Sequence, residues 1–141
     1  IVLAEAGFMR LGLSLDGLHV LRLDPRAWQP APGQGAVAVQ ARADDSEVRA
    51  LFSPMDDEET RAATAIERAF LRVLEGGCTT PFGAFADAER IHLGIVRPTG
   101  WVSLIAQLDA EHQIPAILEQ LNRQKEPAHE LSRSNPLWRA L

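Results

Sequence analysis

Two stretches of the chain alternate apolar and polar residues with a helical period. From Asp57 to Leu74, Ala62, Ile66, Ala69, Phe70 and Val73 recur on one face, while Arg61, Arg68 and Arg72 fall largely off it. Asp56 or Asp57 can cap the amino end, and Glu58 and Glu59 suit the positive end of the helix dipole. Gly76-Gly77 is the expected stop, since glycine accepts the left-handed backbone that ends helices. A second amphipathic helix is predicted over Ile114–Lys125, with Ile114, Ile117, Leu118 and Leu121 inward.

Between these helices the texture is β-like. Phe82–Ala88, Ile91–Val96 and Trp101–Leu108 read as three strands, with Arg97-Pro98-Thr99-Gly100 as the turn between the last two. Helix, three strands, helix predicts an α+β unit: a three-stranded antiparallel sheet with helices on one face. The tail Pro127–Leu141 has no clear period, and Trp138 is its expected anchor.

The first third is less regular. Ile1-Val2-Leu3-Ala4 reads as a buried strand, for which preceding sequence is expected. Ala6–Leu15 predicts a short helix with Phe8, Leu11 and Leu15 on one face. Gly17–Pro32 is loop-like, punctuated by proline and glycine. Ala36–Val39 is a short strand candidate, and Asp44-Asp45-Ser46 starts a turn of helix that runs to Phe52. Ser53–Asp57, with Pro54, reads as a linker.

Composition narrows the function. The 141 residues are 46% hydrophobic and 23% charged, ordinary for a globular protein. A net charge of −5 argues against general nucleic-acid binding. No apolar run reaches the roughly 20 residues of a membrane span. One cysteine cannot form an internal disulfide, which suits a reducing compartment, so the expected location is cytoplasmic. His19, His92, His112 and His129 lack metal-site or catalytic spacing, so no metal is expected. Trp28, Trp101 and Trp138 read as packing anchors, and Asp44, Asp45, Asp56 and Asp57 as caps and solvated acids. Cys78 taken alone would be a small buried hydrophobe. Its context, directly after Leu74-Glu75-Gly76-Gly77, points elsewhere.

Two motifs carry a resemblance. Glu67-Arg68-Ala69-Phe70-Leu71-Arg72-Val73-Leu74-Glu75-Gly76-Gly77-Cys78 resembles the cofactor-attachment helix and loop of the porphobilinogen deaminase (hydroxymethylbilane synthase) family. Pro30-Ala31-Pro32-Gly33-Gln34-Gly35-Ala36-Val37 is similar to that family's glycine-rich segment. Asp44-Asp45 lies between them in its usual place, and Leu3-Ala4-Glu5-Ala6-Gly7 with Arg10-Leu11-Gly12-Leu13 resembles the end of the second domain. Pro32 and Gln40 depart from the family pattern, where a small branched residue and an acid are common.

The resemblance implies three domains, the first two periplasmic-binding-protein-like α/β domains around a cleft. Residues 1–29 would finish the second, 30–55 would return to the first and include the linker, and 56–141 would form the C-terminal cofactor-attachment domain. It implies polymerisation of four porphobilinogen molecules into hydroxymethylbilane with release of ammonia, in tetrapyrrole (heme) biosynthesis. The primer would be a dipyrromethane cofactor held by Cys78 through a thioether. Gln34, Gly35, Leu3, Ala4 and Arg10 are the further cofactor-binding candidates. Arg10 is included because guanidinium grips carboxylates in a two-pronged fashion. The catalytic aspartate and most anion-binding arginines would lie in an N-terminal half, so no catalytic residue is expected in this chain. The implied partners are porphobilinogen and that N-terminal half. The rival class is a non-enzymatic ligand-binding or structural domain that lacks the catalytic half.

Overall fold

The computed structural model describes residues 1–74, 81–98, 100–107 and 114–123. Among the described residues, four α-helices and three strands follow in the order α1 (Glu5–Leu11), α2 (Ser46–Phe52), α3 (Glu58–Val73), β1 (Phe82–Ala86), β2 (Arg90–Arg97), β3 (Gly100–Gln107) and α4 (Ile114–Arg123), with a 3₁₀ turn over Ser53–Met55 after α2.

The expected α+β layer is present. The sheet is antiparallel in the order β1-β2-β3. Its register aligns three rungs: Phe82–Ile95–Val102, Ala84–Leu93–Leu104 and Ala86–Ile91–Ala106. Side chains on a strand alternate between faces, so these nine share one face. They form a single core with Phe70 of α3 and with Ile114, Ile117, Leu118 and Leu121 of α4. Small residues at Ala84 and Ala86 let α3 approach β1 closely. All four predicted inward positions of α4 are buried, and Pro115 is tolerated in its first turn, where no helical N–H bond is lost. Arg97 Nη2 donates to Asn122 Oδ1, tying the β2–β3 hairpin to α4. Residues beyond Arg123, including Lys125 and Trp138, lie outside the described residues, as does the predicted helix stop at Gly76-Gly77.

The caps follow the acidic positions. Asp57 Oδ1 accepts from Thr60 N at 2.7 Å and so selects itself over Asp56 as the α3 cap; Asp45 Oδ1 accepts from Val48 N at 3.1 Å at the start of α2. Asp56 instead pairs with Arg61 at 2.8 Å.

Several expectations fail. The inward stripe of α3 is displaced at its edges: Ile66, Ala69 and Phe70 pack on the core as expected, but Ala62 and Val73 are exposed, and Ala63, Glu67 and Leu74 turn inward. β1 stops at Ala86, two residues early, because Asp87 folds the chain into a turn. Ile1–Ala4 and Ala36–Val39 form no strand and are exposed. Both are apolar enough for a sheet, but the described residues offer neither a partner strand, and backbone pairing is what makes a strand. The helix predicted over Ala6–Leu15 ends at Leu11, where Gly12 takes φ 59° and its N–H caps the carbonyls of Phe8 and Met9; Leu11 and Leu15 are exposed. Trp28 is 44% exposed and lies outside the core, while Trp101 does pack, its indole lying over Gly94 of the neighbouring strand.

Candidate functional site

The glycine-rich segment docks where the sheet would otherwise end. β1 is an edge strand, and its outward N–H groups need acceptors. Ala84 N donates to the carbonyl of Pro30 at 2.8 Å. Gly83 allows this approach, because a side chain there would run into the Gln29 backbone. Gln29 is buried, and its amide donates to the Arg26 carbonyl.

The next outward donor, Ala86 N, finds a different acceptor. Glu67 of α3 is 6% exposed, and its Oε1 accepts from Ala86 N at 2.9 Å. Its other oxygen, Oε2, accepts from Gly33 N at 2.7 Å. One buried carboxylate therefore joins α3, the end of β1 and the glycine-rich segment. Beyond Gly33 the chain turns tightly: Gln34 N donates to Ala31 O at 2.9 Å and Ala36 N to Gly33 O at 3.2 Å. Gly33 and Gly35 stand at φ 75° and 86°, a region where a Cβ is strained, and open space surrounds both. Gln34 and Gly35 are exposed at the tip.

A second tie holds the incoming segment to the opposite sheet face. Asp87 Oδ1 accepts from Arg90 N at 2.9 Å and Glu89 N at 3.2 Å. Its Oδ2 lies 3.3 Å from both Arg26 Nε and His92 Nε2. The Glu89 backbone N–H foremost, then the Arg90 N–H and His92, stabilise the carboxylate against its partial desolvation and lower its pKa to about 2. Arg26 also stacks 5.7 Å above the Phe85 ring. His92 is buried beside Phe85. A shallow concavity of about 410 Å³ opens here, between Arg26, Glu59, Asp87, Arg90 and His92. Its walls carry both signs of charge, and none of the predicted site residues lines it.

The predicted site residues divide accordingly. Gln34 and Gly35 share the anchored turn. Leu3 and Ala4 are exposed ahead of α1, Ala4 as its N-cap, and Arg10 is exposed in its last turn. Among the described residues, no hydrogen bond or ion pair joins these three to Gln34 or Gly35. Cys78 lies outside the described residues. The described residues contain no group of three or more His, Cys, Asp or Glu able to hold a metal, and no helix long and apolar enough to cross a membrane.

Sequence reasoning missed Glu67, Arg26, Asp87 and the buried state of His92. Glu67 had a legible signal: it lies four residues after Ala63 and three before Phe70, a carboxylate on an apolar helix face. Arg26 and Asp87 had none, because their partnership spans 61 residues and depends on the docked segment.

Comparison with known proteins fixes the lineage. A family model described as the C-terminal domain of porphobilinogen deaminase matches residues 60–132, more than half of the chain. The chain belongs to the porphobilinogen deaminase family. A second model, described as the dipyromethane cofactor binding domain of porphobilinogen deaminase, matches residues 1–50. A porphobilinogen deaminase of Xanthomonas campestris is 43% identical over 124 residues, covering 87% of this chain and 40% of the relative. One from a Roseiflexus species is 51% identical over 89 residues, covering 63% and 29%. One from Stenotrophomonas maltophilia is 47% identical over 95 residues, covering 66% and 31%. The chain thus spans 29–40% of the length of these deaminase relatives.

Proposed function

We propose that this chain is the C-terminal part of a cytoplasmic hydroxymethylbilane synthase, a transferase that joins four porphobilinogen molecules into hydroxymethylbilane with release of ammonia. One observation carries the reading. In a chain of this family, α3 carries a buried carboxylate that holds the glycine-rich turn, and the same helix leads in sequence to the chain's single cysteine.

The residues fit a dipyrromethane. The turn at Gly33–Gly35 has no side chain crowding either glycine, and the Gly35 N–H, which takes no part in the hydrogen bonds that hold the turn, can approach an acidic pyrrole substituent. Gln34 adds an exposed amide that can donate to the same group. Sulfur is a strong nucleophile toward a soft carbon electrophile, so Cys78 is the anchoring atom, through a thioether. Cys78 needs to react once and then hold, which does not demand a strongly activated thiolate. Arg10 would pair with a pyrrole carboxylate, and Leu3 and Ala4 would line the cleft wall. When bound, the dipyrromethane supplies the free pyrrole carbon that each incoming unit joins.

Domain roles follow the same reading: residues 1–29 complete a second domain, 30–55 return to a first, and 56–141 form the cofactor-attachment domain. The periplasmic-binding-protein-like domains would be completed by the remainder of a deaminase. Exposed apolar side chains on residues 1–55, among them Val2, Met9, Leu13, Val20, Val37 and Leu51, support this, since such density of uncovered apolar surface marks an interface. Strands at 1–4 and 36–39 would form once that remainder provides partners.

The test is turnover. A full-length protein containing this sequence should release ammonia from porphobilinogen and yield hydroxymethylbilane. The 141-residue chain alone should not, because the acid–base aspartate and most anion-binding arginines would lie in the remainder. Full-length protein without turnover, or robust turnover by the chain alone, contradicts the proposal.

A further inference from the structure

Glu67 is an expensive way to fasten a turn. Removing a carboxylate from water costs several kcal/mol unless its oxygens are well bonded. Here both oxygens are used, one by Gly33 N and one by Ala86 N, and among the described residues no Arg or Lys pairs with it. A glutamine of the same shape has one carbonyl oxygen and could satisfy only one of the two donors in this way. An apolar residue would satisfy neither. What the carboxylate alone provides is simultaneous acceptance from two backbone sites 53 positions apart in the chain, fixed to a third element, α3.

The consequence is a defined offset between α3 and the Gly33-Gln34-Gly35 turn. Pro30 and Glu67 accept from successive outward N–H groups of β1, so the segment entering the turn is held along the same strand edge. The turn cannot slide along β1 without breaking the Glu67 bond, and α3 cannot rotate about its axis without breaking both.

We propose that Glu67 is a positioning residue for the cofactor: it sets the glycine-rich turn against the helix that leads to Cys78, so that Gln34 and Gly35 meet the pyrrole chain attached there. This deepens the reading of the chain as part of a deaminase and rests on it. Glu67 touches no reacting atom in this scheme. It acts through the turn.

The experiment uses the full-length protein with Glu67→Gln and Glu67→Ala, and Asp57→Ala as a reference that weakens the α3 cap without touching the turn. Intact mass gives the fraction of protein carrying two pyrrole units, steady-state kinetics separates kcat from KM for porphobilinogen, and amide exchange reads Gly33. Both Glu67 variants should show faster exchange at Gly33, lower loading, and a kcat reduced on the order of ten- to a hundredfold, as misplacement of a bound group by about 1 Å produces. Asp57→Ala should keep loading and kcat. If Glu67→Ala does not fold, Glu67→Gln, close in shape and uncharged, decides the matter. Wild-type loading and kcat in a folded Glu67→Gln would overturn the proposal and leave the deaminase reading intact. A wild-type protein with neither adduct nor turnover would overturn both.

Discussion

Gly83→Ala tests whether the glycine-rich segment is held by the sheet edge. A methyl group at Gly83 would overlap the Gln29 carbonyl oxygen and lie 2.9 Å from the Gln29 carbonyl carbon and Cβ. These are mainly atoms of a buried backbone, held one residue on by the Ala84–Pro30 bond at 2.8 Å. The structure has two responses. The segment can shift in place, at an overpacking cost of about 1–3 kcal/mol. It can instead detach, forfeiting the Ala84–Pro30 bond, worth about 1 kcal/mol, and the Gly33–Glu67 bond to a charged group, worth about 1.5–3 kcal/mol. Shifting is cheaper. Alanine also recovers about 0.5–1 kcal/mol of the backbone entropy that glycine costs a strand, so the net loss should be centred on about 1 kcal/mol and stay below about 2.5 kcal/mol. Urea denaturation of the 141-residue chain measures the loss, and amide exchange at Ala84 locates it. Gly7→Ala is the control: it lies in α1 with open space around it, so the same substitution should cost nothing there and favour the helix by up to about 1 kcal/mol. A Gly83→Ala chain as stable as wild type, with Ala84 exchange unchanged, would refute the docking argument.

Other outcomes follow from the core and the Asp87 turn. Leu93→Ala removes a fully buried side chain from the middle rung and should cost about 2–5 kcal/mol in the same denaturation assay; a cost under about 1 kcal/mol would mean the rung is not core. Asp87 has a folded pKa lowered to about 2, so its contribution is fully present above the unfolded value near 3.9 and is lost as pH falls through about 2. Asp87→Asn should therefore be less stable than wild type at pH 6, with the gap narrowing as pH drops from about 4 towards 2; a gap that does not change with pH would count against it.

The C-terminal unit was legible because its elements are local and its periods clean. Three short apolar runs separated by turn residues mark the strands, and α4 places Ile114, Ile117, Leu118 and Leu121 on one stripe, so element type and order follow from sequence. The centre of the α3 stripe was legible in Ile66, Ala69 and Phe70, but its edges were misplaced because Glu67 was set aside as polar: Ala63 and Leu74 lie inside where Ala62 and Val73 were expected. The first 55 residues were harder for a physical reason. Ile1–Ala4 and Ala36–Val39 have strand composition, but composition does not supply the neighbour a strand needs. The glycine motif was legible as a motif, whereas its anchoring was not: Gly33 meets Glu67 across 34 positions, and nothing local announces that bond.

The central claim is that Cys78 anchors a pyrrole primer, and intact mass spectrometry of the full-length protein tests it most directly. Cys78 is the chain's only cysteine, so no second thiol within these 141 residues can stand in for it. The wild-type protein should carry the added mass of two pyrrole units, mapped by peptide analysis to Cys78. Cys78→Ser should lose both the adduct and turnover, because a neutral hydroxyl is the weaker nucleophile. An active wild-type protein with unmodified Cys78, or an active Cys78→Ser variant bearing no pyrrole chain, would contradict the account.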